Sequence, residues 1–286
     1  MPNFSIIDTH THNYFSQFDR DRDAMIERAR KAGVVKQIQI GCDEISTLAA
    51  LKLAQENDDF WCTVGLHPCD VLRVGKPVQH RVKGFETYQP KARSVDELLE
   101  LFSELIEKNR EQIVGIGETG FDRYHDGSEE LFAAQQASFL GHVKLAEKYN
   151  LPLVIHTREA TDELLDFFET HIAGKSVRGV VHCFSEDVAT AHIFTKKYNF
   201  RLGIGGILTY PKSETLRKVV EAVPLEFLLT ETDAPFLPPK RWRDREKRNE
   251  PTALPEVIDT IAEIKGRDSN EVAKILVQNA EQLFGI

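Results

Sequence analysis

The chain is 286 residues long, with 41% hydrophobic and 28% charged residues and a formal net charge of −9. This composition is typical of a folded globular protein and excludes collagen-like, disordered and disulfide-rich classes. The acidic balance argues against a generic binder of nucleic acid, which is usually basic. No segment approaches the run of about 18 apolar residues that spans a membrane, and the N-terminus lacks the basic and apolar regions of a signal peptide. We therefore predict a cytoplasmic protein with no membrane association.

Short β-rich segments alternate with helical patterns along the whole chain. The predicted strands cover residues 4–8, 37–40, 60–65, 113–117, 152–156, 179–182, 200–203 and 227–230. Apolar residues recur at helical spacing over residues 23–31, 45–55, 96–108, 129–149, 161–170, 187–197, 213–222, 253–264 and 269–283. Eight strands alternating with helices predict a parallel sheet and an α/β fold, a single (β/α)8 TIM-type barrel. No linker interrupts the pattern, so we predict one domain over residues 1–286.

Polar residues that can bind metal ions lie at the C-terminal ends of five of the predicted strands. They are His10, His12, Glu118, His156, His182 and Asp233. Because barrel active sites lie at the C-terminal ends of the strands, we expect these side chains to converge. Each alone is typical of a hydrogen-bonded core histidine or a helix cap, but six together would be costly to bury without a cation. Four imidazoles and two carboxylates exceed the ligand set of one zinc with an open position, and they predict two divalent metal ions.

The cysteines are scattered, at positions 42, 62, 69 and 183. They lack the close pairing typical of a zinc site, and we predict reduced thiols. Cys183 directly follows His182, and neighbouring strand residues face opposite sides of a sheet. We therefore expect Cys183 to point away from the predicted metal site, which disfavours thiolate ligation there.

Two segments concentrate positive charge on this acidic chain. The first basic segment, residues 72–93, has six Lys or Arg and one acidic residue; the second basic segment, residues 240–248, has six and two. They follow the third and eighth predicted strands, so we expect both at the face of the barrel that carries the active site. We predict that they guide an anionic ligand to that face, although solvated loops can have the same composition.

Eight short motifs make the sequence similar to a known family. In chain order they are Asp8-Thr-His-Thr-His12, Gly65-Leu-His-Pro68, Ile116-Gly-Glu-Thr-Gly-Phe-Asp122, His156-Thr-Arg158, His182-Cys-Phe-Ser185, Gly203-Ile-Gly-Gly206, Glu231-Thr-Asp-Ala-Pro235 and Arg248-Asn-Glu-Pro251. With them the chain resembles the TatD-like metal-dependent deoxyribonucleases of the amidohydrolase superfamily. The motifs follow the family order over nearly the whole chain, and the family fold is a (β/α)8 barrel.

The resemblance implies a role for each predicted ligand. His10, His12 and Asp233 would hold the first metal ion, His156 and His182 the second, and Glu118 would bridge the two. It also implies hydrolysis of DNA phosphodiester bonds, often from a strand end, with Mg²⁺ or Mn²⁺. Zn²⁺ also suits imidazole and carboxylate ligands.

The chain departs from the family pattern at three places. The family has His-Pro-His after the third strand, where this chain has His67-Pro68-Cys69. The glycine common after His-Cys-Phe-Ser is Glu186, and residues 68–94 form a longer irregular stretch than usual. All six metal positions are intact, so these departures bear on the substrate more than on the chemistry.

Five further assignments concern catalysis and substrate. Asp233, beside the metal-bound water, is the candidate general base. His67 and Arg158 are candidate phosphate ligands, because the arginine fork matches the anion; the alternatives are a structural hydrogen bond and a surface salt bridge. Glu231 either orients a histidine ligand or is a packed carboxylate. Trp242 either stacks on an unpaired base or packs as an ordinary aromatic residue.

The sequence therefore predicts a metal-dependent hydrolase, a DNase or exonuclease that acts on DNA as a monomer. One alternative is a binuclear amidohydrolase that cleaves a C–N or C–O bond of a small metabolite. Related amidohydrolases often have a carboxylated lysine in the bridging position, and Glu118 in that place favours the nuclease. A second alternative is a non-catalytic protein that binds nucleic acid, which predicts lost metal ligands, and none of the six is lost.

Overall fold

A computed structural model describes residues 4–75, 82–91, 94–245 and 248–286. The strands are β1 (Ile6–Thr11), β2 (Val34–Gln39), β3 (Phe60–Val64), β4 (Ile113–Asp122), β5 (Leu153–Arg158), β6 (Gly179–Val181), β7 (Arg201–Ile204) and β8 (Leu228–Thr230). The α-helices are α1 (Arg22–Lys31), α2 (Glu44–Glu56), α3 (Val95–Lys108), α4 (Glu129–Tyr149), α5 (Thr161–His171), α6 (Val188–His192), α7 (Glu214–Ala222), α8 (Lys240–Arg243), α9 (Leu254–Lys265) and α10 (Ser269–Phe284). Strand order in the sheet follows chain order from β1 to β8, as the predicted (β/α)8 barrel requires.

The chain divides into two compact units. The first unit contains residues 1–39 and 182–286, and the second contains residues 40–181. This division does not test the single domain predicted over residues 1–286, which stays a prediction.

In the first unit, the strands from the two ends of the chain associate. β1 pairs with β2, β7 pairs with β8, and both pairs are parallel. A parallel bridge joins Thr11 to Ala234, so the end of β1 lies beside the segment after β8. All six residues of β1 are buried, as expected for a parallel strand covered on both faces.

In the second unit, β4 is the longest strand and lies between β3 and β5. Both pairings are parallel, and β5 also pairs in parallel with β6. All ten residues of β4 are buried. A Cβ added at Gly117 would lie 2.3 Å from the carbonyl oxygen of Val154, and one at Gly120 would lie 2.1 Å from that of His156. Both glycines have a positive φ, so only glycine fits where β5 passes this closely.

The helix ends follow local sequence signals. α2 begins with a capping box in which Asp43 and Ser46 exchange side-chain and backbone hydrogen bonds. Ser128 caps the start of α4, and Asn150 ends that helix in the left-handed conformation. The observed bounds of α4 are the same as the predicted ones, and both ends of the helix carry such signals.

Most predicted elements differ from the observed ones by no more than three residues at an end, and two differ further or in type. The fourth strand runs five residues beyond the predicted end at residue 117. Gly117 and Gly120 are unfavourable in the interior of a strand, so the sequence pattern does not indicate a strand there. The helix predicted over residues 187–197 is α6 followed by a π-helical turn at Ile193–Lys197. There, the Tyr198 N–H donates to the carbonyl of Ile193 five residues earlier.

Candidate metal centre

The first unit brings together four residues that we name the histidine cluster: His10, His12, His182 and Asp233. The Nε2 atoms of His10 and His12 lie 3.2 Å apart. Asp233 Oδ1 lies 3.2 Å from Nε2 of His12, 3.7 Å from that of His10 and 4.0 Å from that of His182. The rings of His10 and His182 stack with centroids 3.4 Å apart. Three imidazole nitrogens thus surround one carboxylate oxygen.

Buried groups behind this cluster hold its rings in place. Glu231 Oε1 lies 3.0 Å from His182 Nδ1 and accepts the Cys183 N–H at 2.5 Å. Tyr14 Oη lies 2.9 Å from His12 Nδ1. The structure therefore favours the orienting interpretation of Glu231 over a merely packed carboxylate, since carboxylates commonly fix ligand histidines in this way.

A second support of this cluster, Asp8, was not predicted as a site residue. Its carboxylate accepts the N–H of Thr232 at 3.0 Å, the Thr232 hydroxyl at 2.6 Å and the His10 N–H at 3.3 Å. Burial raises the pKa of Asp8 to about 7 although these hydrogen bonds oppose the shift. Asp8 links the backbone of β1 to that of the segment after β8, and its position at the head of the Asp-Thr-His-Thr-His motif was the available signal.

The prediction that Cys183 faces away from the site is wrong. β6 ends at Val181, so the alternation of a strand does not continue to residue 183. Cys183 has a φ of 45°, in the left-handed region. One ligand atom from each of His182, Cys183 and Asp233 lies within 4.8 Å of the others. Burial raises the pKa of the Cys183 thiol, which keeps it protonated at neutral pH.

The second unit contains what we name the carboxylate cluster: His67, Glu118, Asp122 and His156. His156 lies between two carboxylates, with Nδ1 2.9 Å from Glu118 Oε1 and Nε2 3.1 Å from Asp122 Oδ2. His67 Nε2 lies 3.6 Å from Glu118 Oε1, and its ring centroid lies 4.5 Å from that of His156. Here, one imidazole is shared by two carboxylates.

Glu118, which directly follows the predicted fourth strand, lies within the observed β4, and His156 lies within β5 as predicted. Asp122, the last residue of β4, is a site residue that the prediction missed because the strand was ended too early. The Gly-Phe-Asp that closes the third motif, Ile116 to Asp122, was the signal for it.

Electrostatics in both clusters favour ionised carboxylates. Burial raises the pKa of Asp233, but the hydrogen bond from His12 and the charges of His182 and His10 outweigh it, and the pKa falls below its usual range. Burial likewise raises the pKa of Asp122, and hydrogen bonds from His156 and His125 reverse that shift. Ionised carboxylates are the form that binds a metal ion.

The donor atoms of the histidine cluster fit a divalent ion. Metal–ligand bonds of about 2.0–2.2 Å place neighbouring ligand atoms about 3.0–3.6 Å apart. The separations of 3.2 Å between His10 and His12 and of 3.2 Å between His12 and Asp233 fall within this range. Imidazole and carboxylate ligands suit Zn²⁺ and Mn²⁺, and carboxylates suit Mg²⁺.

The two predicted phosphate ligands occupy different settings. His67 Nδ1 accepts the Cys69 N–H at 3.2 Å, so this histidine caps the short 3₁₀-helix Pro68–Arg73 as well as facing Glu118. Arg158 ends β5, is exposed, and places its guanidinium carbon 3.5 Å from the ring centroid of Tyr124. That stacking holds an exposed arginine in one direction.

The second basic segment is partly neutralised by ion pairs. Arg248 contacts Asp21 at 2.8 Å and Glu250 at 2.5 Å, and Lys240 contacts Asp244 at 2.5 Å. In the first basic segment, Arg73 lies 3.8 Å from Asp70. Lys76, Arg81, Arg93 and Lys247, which the prediction included, lie outside the described residues.

The Arg248-Asn-Glu-Pro251 motif supports the segment that carries Asp233. Buried Asn249 donates from Nδ2 to the carbonyl of Thr232 at 2.8 Å. Glu250 accepts from Arg28 at 2.9 Å and from Arg248. The motif is therefore structural, a role that the sequence analysis did not assign to it. Trp242 lies half-buried in α8.

Two further features of the molecule concern membrane-spanning helices and disulfide bonds. Within the ranges described above, no helix is both long and apolar enough to cross a membrane. None of the four cysteines, all of which are described, forms a disulfide.

Comparisons with known proteins agree with the predicted family. The family model described as TatD related DNase matches residues 7–285. The metal-dependent hydrolase YabD of Bacillus subtilis is 32% identical over 281 residues, which cover 98% of this chain and 99% of that protein. The 3'-5' ssDNA/RNA exonuclease TatD of Erwinia tasmaniensis is 31% identical, covering 95% of this chain and 96% of its own.

A solved structure supports the fold in the same way. The TatD homologue YjjV of Escherichia coli K12 has 29% sequence identity and a TM-score of 0.83, with 98% of each chain covered. The predicted (β/α)8 barrel class is confirmed. The chain belongs to the TatD family of metal-dependent hydrolases.

Proposed function

We propose that this protein is a two-metal nuclease that hydrolyses DNA phosphodiester bonds from a strand end. One observation carries the proposal: the chain keeps a full set of imidazole and carboxylate donors while being related over nearly its whole length to a protein named as a 3'-5' ssDNA/RNA exonuclease. The location in the cytoplasm and the monomeric state stay predictions.

The proposed ligands are those that the family resemblance assigned. His10, His12 and Asp233 would hold one divalent ion, His156 and His182 would hold the other, and Glu118 would bridge the two. Mg²⁺ or Mn²⁺ is the expected pair, and Zn²⁺ is compatible with the imidazoles. When bound, such a pair supplies positive charge that lowers the pKa of a water molecule and stabilises the developing charge on the phosphate.

The side chains of this protein supply the remaining chemistry. A carboxylate oxygen of Asp233 accepts the proton of the attacking water, as a general base does. Its depressed pKa supports ionisation at neutral pH. Arg158, held against Tyr124, and His67 bind the non-bridging oxygens of the scissile phosphate. Glu231 keeps the His182 ring in orientation throughout.

The experiment that tests the proposal is a substrate screen of one metal-reconstituted preparation. Metal-depleted protein is loaded with Mg²⁺, Mn²⁺ or Zn²⁺ and offered end-labelled single- and double-stranded oligonucleotides, small amides and small carboxylic esters. We expect progressive shortening of the oligonucleotide. Asp233→Asn protein, purified in parallel, must not shorten it, which excludes a contaminating nuclease.

The same screen can overturn the proposal. If a small amide or ester is hydrolysed and the oligonucleotide is not cleaved, the protein is a binuclear amidohydrolase. Tight oligonucleotide binding with no turnover under any metal would favour a non-catalytic binding protein.

A further inference from the structure

Three side chains of different ligand type meet in the second unit, outside the six predicted metal ligands. Cys69 lies in the 3₁₀-helix after β3, Asp122 ends β4, and His125 follows three residues later. Cys69 Sγ lies 3.5 Å from His125 Nδ1, and His125 Nδ1 lies 2.9 Å from Asp122 Oδ2. One ligand atom from each of the three residues lies within 4.8 Å of the others.

We propose that Cys69, Asp122 and His125 form a further zinc-binding site. A thiolate, an imidazole and a carboxylate are the three ligand classes that zinc accepts, whereas Mg²⁺ does not favour sulfur. Zinc–ligand bonds of about 2.0–2.3 Å require ligand atoms about 3.3–3.7 Å apart. The observed separations of 3.5 and 2.9 Å need only a small opening to reach that range.

The site is held in place by a buried glutamine. Gln135, on α4, donates from Nε2 to the carbonyls of Pro68 at 3.2 Å and of Asp122 at 3.1 Å. Its Oε1 accepts the Asp122 N–H at 3.1 Å. One side chain thus ties the segment of Cys69 to the segment of Asp122, which preorganises two of the three ligands before any ion binds.

The exposed side chain of His125 leaves room for a fourth ligand on the proposed zinc ion. The Asp122 side chain is fully buried, whereas 53% of the His125 side chain is exposed. A zinc ion with three protein ligands is completed by water on the open side. Zinc binds sulfur as the thiolate, so one proton would be released from Cys69 per ion bound.

The inference is independent of the proposed nuclease activity. The site would exist with the same ligands in an amidohydrolase or in a protein without catalysis. Its test therefore uses metal binding and not turnover.

The first experiment is cobalt substitution of metal-depleted protein. Thiolate ligation gives Co²⁺ a charge-transfer absorption in the near ultraviolet, which imidazole and carboxylate ligands do not give. We expect this band in the wild type, its loss in Cys69→Ser, and its weakening in His125→Ala. Cys183→Ser is the matched control, because Cys183 is the other cysteine grouped with possible metal ligands, and it must keep the band.

A band that persists in Cys69→Ser and disappears in Cys183→Ser would overturn the proposal and place sulfur ligation in the histidine cluster. Absence of the band from the wild type, with Co²⁺ bound, would overturn it as well. Far-ultraviolet circular dichroism of the metal-depleted variants checks that each is folded before titration.

The second experiment measures the reactivity of the Cys69 thiol and the zinc content of the chain. Iodoacetamide labelling of the wild type, followed by peptide mass mapping, measures the reactivity of Cys69 with and without zinc. We expect zinc to slow alkylation of Cys69 at least tenfold. Elemental analysis should then find one zinc fewer per chain in Cys69→Ser. Equal alkylation rates with and without zinc would show that Cys69 is not a ligand.

Discussion

The histidine cluster and the carboxylate cluster use the same two ligand types in opposite proportion. In the histidine cluster, three imidazoles surround the single carboxylate of Asp233. In the carboxylate cluster, Glu118 and Asp122 hold both ring nitrogens of His156. An ion entering the first cluster meets nitrogen donors that face one another. An ion entering the second must displace a hydrogen bond to reach the imidazole.

The difference indicates that the two clusters differ in metal preference. Borderline ions such as Zn²⁺ bind imidazole well, whereas hard ions such as Mg²⁺ prefer carboxylates. We therefore expect the histidine cluster to retain metal more firmly during chelation, and the carboxylate cluster to depend on the concentration of the added ion.

Removing the one carboxylate of the histidine cluster should have the largest effect. In Asp233→Asn, both a ligand and the proposed general base are lost, so kcat should fall by about 10²-fold or more. Stopped assays of oligonucleotide cleavage measure the loss. Asp162→Asn, an exposed change in α5, is the control and should keep wild-type turnover. A kcat near the wild-type value in Asp233→Asn would show that Asp233 is not the general base.

A change in the carboxylate cluster should separate metal content from folding. Glu118→Gln leaves the shape of the side chain but removes the charge, and a neutral amide bridges two cations poorly. We expect bound Mg²⁺ to fall from about two ions per chain toward one, measured by elemental analysis after reconstitution with Mg²⁺, which does not favour the thiol ligand of the further zinc site. Glu130→Gln, exposed on α4, is the matched control. Two firmly bound ions in Glu118→Gln would contradict the bridging role.

Acid should affect the second unit through His142. This buried histidine accepts the N–H of Leu66, next to His67, and its Nδ1 donates to the carbonyl of Ser138. Burial lowers its pKa from 6.5 to about 4. Below about pH 6.5 the unfolded chain binds a proton that the folded chain does not, so the free energy of unfolding should fall by about 3 kcal/mol as the pH drops toward 4.

Urea unfolding at several pH values measures this contribution. His142→Gln should show a shallower loss of stability between pH 6.5 and 4 than the wild type. His171→Gln, a half-exposed change at the end of α5, should keep the wild-type slope. If the free energy of unfolding falls equally steeply with pH in His142→Gln and in the wild type, His142 is not the source of the acid sensitivity.

The smallest effect concerns the two basic segments. Each contact between a basic residue and phosphate contributes a slope of about −0.7 to the logarithmic salt dependence of binding to a single strand. Replacing Arg73, Lys76, Arg81 and Lys83 by Gln should flatten that slope and raise KM for an oligonucleotide. Cleavage of a small phosphodiester that is too short to reach the basic segments is the internal control and should not change.

Replacing Arg248 by Gln should flatten the slope less, because Asp21 and Glu250 already neutralise this arginine. If the salt dependence of binding is unchanged after the four substitutions, the first basic segment is a solvated loop that does not contact the substrate. The preferred substrate would then be small.

The sequence predicted the repeating pattern of the fold better than its strand ends. α4 was predicted at its observed bounds because Ser128 and Asn150 mark its ends locally. β4 was cut short because its glycines are poor strand formers, and the need for glycine arises only when β5 passes against it. That contact is non-local and leaves no trace in the spacing of apolar residues.

The candidate site was predicted by residue type and only partly by geometry. His10 and His12 meet as the two-residue spacing predicted. Asp8 and Asp122 were missed because each acts through a partner distant in sequence, Thr232 and His156. The direction of Cys183 was wrong because β6 ends two residues before it, and the end of a strand is the least certain part of a sequence-based prediction.

The composition of the first unit has a consequence for synthesis on the ribosome. Thr9 donates to the carbonyl of Thr230, a residue 221 positions later, and Arg28 pairs with Glu250, 222 positions later. At about 5–20 residues per second, the emerging N-terminal segment waits on the order of 10 to 50 s for these partners. The second unit, whose residues are contiguous, has its whole sequence available earlier. The histidines of β1 are thus translated well before His182 and Asp233, which they contact in the folded unit.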